Sequence, residues 1–157
     1  MIRAATQADI PGILTLWNLA IRETLITFNS VEKTEQDVAD ALRDYDAFLV
    51  AEREGRIAGF AALFPFRAGS GYAHTKEHSI MLAPSARGQG EGRALMAKVE
   101  QRARDLGVHS IIACISASNP DAEPFHAAIG FVTVGRVAEA GRKFGQWHDL
   151  LLMQKRL

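Results

Sequence analysis

The chain has 157 residues, 48% of them hydrophobic and 23% charged, which suits one domain spanning residues 1–157 with a full core. Its 18 basic and 18 acidic side chains cancel, so no electrostatic argument points to nucleic acid or an anionic membrane, and the single cysteine, Cys114, excludes a disulfide framework within the chain. No apolar run approaches a membrane span and Met1–Ile10 lacks the apolar segment of a secretory leader, so a reducing, cytoplasmic setting is expected.

Ile2–Ala5 reads as a short strand. Asp9 is placed to cap a helix that tolerates Pro11 in its first turn, with Ile10, Ile13, Leu14, Trp17 and Ile21 on one face. Thr34, with Asp37 three residues on, predicts a second capped helix reaching about Asp44. Phe48–Ala51 and Ile57–Phe64 are strand-like runs on either side of a Glu54-Gly55 hairpin turn. The glycine-rich stretch Pro65–Thr75 predicts a loop, and Glu77–Ala83 a strand that Pro84 ends. After the turn Arg87–Gly92, the apolar stripe Met96, Val99, Ala103 and Leu106 marks a long helix closed by Gly107. His109–Ser116 has the unbroken apolar character of a buried strand, with Cys114 expected as a buried structural thiol. A short helix fits between Pro120 and Gly130, and Phe131–Ala138 and Trp147–Gln154 read as the last two strands. Strands interleaved with helices, and others joined by tight turns, imply an α/β fold around a mixed sheet.

The segment Arg87-Gly88-Gln89-Gly90-Glu91-Gly92-Arg93 lies between a predicted strand and a predicted long helix. Glycines let several amide N–H groups converge on one anion, and the first helical turn adds unpaired donors and the positive end of its dipole. A diphosphate suits such a site. The dinucleotide fingerprint needs glycine where Arg93 stands, and the nucleotide P-loop needs Gly-Lys followed by Ser or Thr, so neither pattern is present.

Arg87, Gly90 and Gly92, followed by Arg93-Ala94-Leu95-Met96, resemble the diphosphate signature of the GNAT acyltransferase superfamily. Within it the chain is similar to the phosphinothricin and methionine sulfoximine or sulfone N-acetyltransferases, nearly end to end. The likeness includes Ile2–Thr6 with Asp9-Ile10-Pro11, Asn18 with Thr24 and Phe28, Tyr72 and Thr75, and Glu77-His78-Ser79. It continues through Asn119, His126 with Gly130-Phe131, and the block Gly141–Asp149. Two positions depart from the pattern. Ala122 replaces a common serine, and Glu91 stands at a position usually apolar.

The resemblance implies a single-domain GNAT fold with a mixed, mostly antiparallel sheet of six or seven strands, flanked by about four helices and splayed after a bulge near Ile80 to Leu82. The pantetheine arm of acetyl-CoA would bond Ile80, Met81 and Leu82 as an added strand, with its diphosphate on Gly88, Gln89, Gly90, Glu91, Gly92 and the flanking Arg87 and Arg93. Asn119 would contact the arm from the opposite strand; asparagine before Pro120 is also an ordinary helix cap. No metal is implied. Acetyl transfer needs a neutral amine, and an α-amino group of pKa about 8 is mostly protonated at neutral pH, so a base is required. Glu77 is the expected base and His78, which should alternate to the other face, its rival. His126 stands where many superfamily members place a proton-donating tyrosine. Arg67 is the expected partner of a substrate carboxylate, with Tyr72, Thr75, Glu77, His78 and Phe28 around the small amine. Phe66 and Trp147 are further candidate pocket walls, Trp147 more in keeping with core. Relatives are homodimers with active sites near the interface, so a homodimer is implied. Other readings stay open: acetylation of a protein N-terminus or a polyamine, or a non-catalytic acyl-CoA-binding protein.

Overall fold

A computed structural model describes residues 1–157. In chain order the elements are β1 (Ile2–Ala4), α1 (Ile10–Glu23), α2 (Glu35–Asp44), β2 (Ala47–Arg53), β3 (Arg56–Pro65), β4 (Thr75–Leu82), α3 (Glu91–Asp105), β5 (Ser110–Ser116), α4 (Ala122–Ala128), β6 (Val132–Lys143) and β7 (Gln146–Arg156). Short 3-10 turns precede α1 at Gln7–Asp9 and punctuate the loops at Ser70–Tyr72 and Pro84–Ala86. The strands form one seven-stranded sheet in the order β1-β2-β3-β4-β5-β7-β6. Every neighbour pair is antiparallel except β4 and β5, which are parallel and joined by the α3 crossover.

Each sheet face is covered by the apolar stripe of a helix. On one side Ile13, Trp17 and Ile21 of α1, with Val38 of α2, pack on Phe48, Val50 and Phe60. On the other, Leu95, Met96, Val99 and Ala103 of α3 pack on Ala61, Leu63, Ile111 and Ala113. The expected α3 stripe is one residue too long: Leu106 caps the helix and is 42% exposed. Thr34 and Asp37 form the predicted capping box of α2. Asp9 acts differently from the cap expected for α1. Its carboxylate accepts from the Thr6 amide and hydroxyl and from Arg3, closing the preceding turn and tying β1 to the helix.

The last two strands are longer than their alternation indicates. β6 runs to Lys143 and carries register shifts between Thr133 and Gly135 and between Val137 and Gly141, which break the period-two pattern by which a strand is read from sequence. No helix is long and apolar enough to cross a membrane.

Candidate active site

The parallel pairing of β4 with β5 stops early. It joins Thr75 to Ser110, Lys76 to Ile111, Glu77 to Ile112 and His78 to Ala113, and then the strands part. The expected splay is present, but β4 has no bulge: its register with β3 is unbroken from Lys76 to Leu82. β5 keeps an equally unbroken register with β7 from Ser110 to Ser116, so the divergence lies between the two strands.

Strand parity decides which backbone groups face the opening. Phe66 N–H donates to Thr75 O at one end of the β3–β4 ladder, and Ala83 N–H to Ala58 O at the other. Odd-numbered β4 residues therefore bond to β3, and the N–H and C=O groups of Ile80 and Leu82 turn toward the gap. Met81 spends its backbone groups on β3, unlike the role expected for it, although its side chain lines the cleft. The cleft holds about 720 Å³.

Below the gap, Gly88 and Gly90 adopt φ values of +73° and +83°, with no atom near where a Cβ would project. A side chain there would be strained and would fill the approach to the first turn of α3. Gly92 has a different reason: an added Cβ would come within 3.1 Å of Leu82 and 3.2 Å of Phe125. Arg87 and Arg93 line this end of the cleft. Gln89 and Glu91 do not. Gln89 donates to Ser85 O and accepts from Arg53, and Glu91 lies 3.9 Å from Arg53 with its other oxygen buried and unpartnered.

Glu77 and His78 point to opposite faces, as a regular strand requires. Glu77 has no ion-pair partner, since Lys76 is engaged by Asp46 at 2.9 Å. Burial raises the Glu77 carboxyl above its ordinary range, and the Cys114 thiol on the neighbouring strand offsets part of that rise. Cys114 is half-buried in the cleft rather than sealed in the core, and burial together with Glu77 pushes its thiol up to about 12. It is no nucleophile at neutral pH.

His78 is buried against Phe131, with its Nε2 3.0 Å from Nε2 of His126. His126 Nδ1 lies 2.7 Å from Ala122 O. A carbonyl only accepts, so Nδ1 of His126 carries the proton and its Nε2 accepts from His78. Nδ1 of His78 is then a bare, buried acceptor, in keeping with its lack of any partner. Burial brings His78 down to about 3 and lowers His126 as well, so the pair is neutral at neutral pH.

The rest of the expected set divides. Phe28 and Asn119 line the cleft, and Asn119 Oδ1 also accepts from the Asp121 amide at 3.3 Å. Arg67, Tyr72, Thr75 and Phe66 do not line it. The Arg67 guanidinium stacks 5.3 Å above the Tyr72 ring, outside the opening. Trp147 is neither wall nor core: it is 56% exposed beneath Arg142. In their place the structure brings Trp17, Lys33, Tyr45 and Phe64 to the cleft. Lys33 is held by buried Asn18, whose side chain accepts from the Lys33 amide at 2.7 Å and donates to its carbonyl at 3.0 Å. No group of His, Cys, Asp and Glu is placed to hold a metal ion.

A model of the acetyltransferase (GNAT) family matches residues 13–131. The L-methionine sulfoximine/L-methionine sulfone acetyltransferase of Pseudomonas aeruginosa is 33% identical, over 99% of this chain and 94% of its own. Among solved structures, a ribosomal-protein-alanine N-acetyltransferase from Brucella melitensis has a TM-score of 0.94 and 40% identity, covering 100% of this chain and 99% of its own. A phosphinothricin acetyltransferase from Sinorhizobium meliloti, in complex with acetyl-CoA, has a TM-score of 0.93 and 31% identity, covering 100% of this chain and 88% of its own.

Proposed function

The chain belongs to the acetyltransferase (GNAT) family, and on that premise we propose that it transfers the acetyl group of acetyl-CoA to the amino group of a small amino-acid-like substrate of the methionine sulfoximine or phosphinothricin type. One observation carries this reading. Glu77, a carboxylate without a counter-ion, sits where the β4–β5 pairing ends and the free edge of β4 begins.

The residues present fit the coenzyme. Ile80 and Leu82 offer unpaired backbone groups to a slender extended arm, and Gly88, Gly90 and the amides opening α3 leave room and donors for a diphosphate flanked by Arg87 and Arg93. Bound there, the thioester supplies the acetyl group. Glu77 takes a proton from the substrate ammonium, and its raised affinity for protons suits it to that work. The Leu82 amide is placed to donate to the carbonyl oxygen under attack. His126 can give a proton to the departing sulfur only by breaking its bond to Ala122. Lys33 is the cation at the amine half of the cleft, and it takes over from Arg67 as the partner of the substrate's acidic group. A homodimer completes the reading, supported by Val132, Val134 and Val137 exposed on the edge strand β6.

The Brucella relative favours a second reading, acetylation of a protein N-terminus beginning with alanine. Thiol release should be measured with free amino acids, their sulfoximine and phosphinic analogues, the corresponding methyl esters, and an alanine-initiated peptide. Free acids are expected to react with kcat/KM at least tenfold above their esters. A preference for the peptide would favour the second reading, and no transfer to any amine would discard both.

A further inference from the structure

One part of the cleft wall is neither helix nor strand. It is the segment between α1 and α2, of which Ile26–Asn29 line the opening. The far part of the segment is tied to α1, Glu32 by Arg22 and Lys33 by Asn18, but within Thr24–Asn29 the bonds are short-range, from the Ile26 amide to Thr24 Oγ1 and from the Asn29 amide to Thr27 Oγ1. Such turns leave a loop free to move as a body.

What fixes it comes from the far end of the chain. Lys143, the last residue of β6, is 4% exposed and has no carboxylate partner. Its ammonium donates to Thr24 O at 2.7 Å and to Thr27 O at 2.8 Å, with the Phe144 ring 5.1 Å away. Burying an ammonium is costly unless its hydrogen bonds are met, and here the loop's own carbonyls meet them. The same hairpin seats Phe28. Gly141 leaves a space in which an added Cβ would come within 2.2 Å of the Phe28 ring, and His148 stacks on that ring at 5.7 Å. His148 is fixed in turn by Ser118 Oγ at 2.8 Å and Lys143 O at 3.1 Å.

We infer that Lys143, with Gly141 and His148, is a positioning residue for acetyl transfer: the β6–β7 hairpin latches the Thr24–Asn29 segment so that Phe28 and its neighbours face Glu77 across the amine half of the cleft. The inference rests on the function proposed above only for what the latched wall contacts. The glycine turn and the free edge of β4 are built from other residues, and the latch comes nearest the coenzyme side at Ser118, which His148 bonds and neither substitution below replaces, so acetyl-CoA binding should be kept.

The test uses Lys143→Met, with Gly141→Ala as the second variant. Gly141 has no positive φ, so alanine is tolerated by the backbone and acts through displacement of Phe28. Hydrogen exchange and steady-state kinetics are measured on the whole chain. Exchange is expected to quicken at least tenfold within residues 24–29 and to stay unchanged in β4. KM for the amine is expected to rise at least tenfold, with KM for acetyl-CoA within twofold of the parent. Unchanged exchange in residues 24–29 of both variants would overturn the latch. Loosened exchange with an unchanged amine KM, or both KM values rising together, would overturn the positioning role. Should Lys143→Met not fold, Gly141→Ala decides alone. If the parent acetylates no amine, the proposed function fails while hydrogen exchange still decides whether the latch exists.

Discussion

Glu77 shows how one carboxylate is prepared for proton removal. Its position at the end of the β4–β5 pairing half-buries it and leaves it without a cation, so desolvation holds its affinity for protons above that of a free carboxylate. A base works deprotonated, so kcat/KM should climb with pH through an inflection above the ordinary carboxylate range. Glu77→Gln should remove that limb and lower kcat at least tenfold, while the Kd for acetyl-CoA stays within twofold. A pH–rate profile alongside titration calorimetry checks both. Glu77 was legible in the sequence because its motif position is local. Cys114 beside it was not: the apolar run around it reads as core, and only the parallel register of β5 on β4 turns its thiol toward the carboxylate. Lys33 and Tyr45 were hidden for the same reason, since each reaches the cleft through packing between segments distant in the chain. Arg67 reads as the partner of a substrate carboxylate, and nothing in its neighbours' chemistry announces that it stacks on Tyr72.

The helices were the easiest elements to read, because an apolar face repeating every three to four residues belongs to one helix alone. The glycine turn was equally plain. Glycine at Gly88 and Gly90 answers to backbone angles that other residues avoid, so composition and geometry coincide there. Gly90→Ala should strain the turn by about 1 kcal/mol and place a methyl group in the diphosphate approach. We expect the Kd for acetyl-CoA to rise at least fivefold with kcat at saturation nearly unchanged, measurable by calorimetry and initial rates. The splay was expected from resemblance, with a bulge as its cause. In the structure β4 stays in register with β3 and β5 with β7 while their own pairing stops after His78 and Ala113, a property of two strands together that neither carries alone. Bulges in β6 hid its length in the same way, since each shifts the alternation to the other face.

At the scale of the molecule, several groups make the fold acid-sensitive in one direction. His78 falls to about 3 in the folded chain, against its ordinary value of 6.5, and His126 is lowered too. A depressed histidine contributes stability that is present above its unfolded value and is lost as pH falls toward the folded one, because the unfolded chain binds the proton first. Asp9, held well below the carboxylate range by Arg3, adds a loss at still lower pH by the same sign. Stability should therefore fall below about pH 6.5, at up to about 1.4 kcal/mol per pH unit for each depressed histidine, with the raised Glu77 carboxyl offsetting part of the loss because the folded chain protonates it first. Thermal unfolding between pH 7 and 4 checks this, and His78→Phe should flatten the slope. A Tm that stayed level over that range would contradict the buried neutral pair.

The unpaired margin of β4 has a consequence beyond catalysis. Bare strand margins commonly invite other chains to polymerise on them. Here the margin is recessed between two diverging half-sheets, with Phe125 and Leu82 packed at its lower lip against Gly92. β4 is the fourth of seven strands, so this margin is enclosed within the sheet and lined by β5 and α4 instead of lying open at its outer edge.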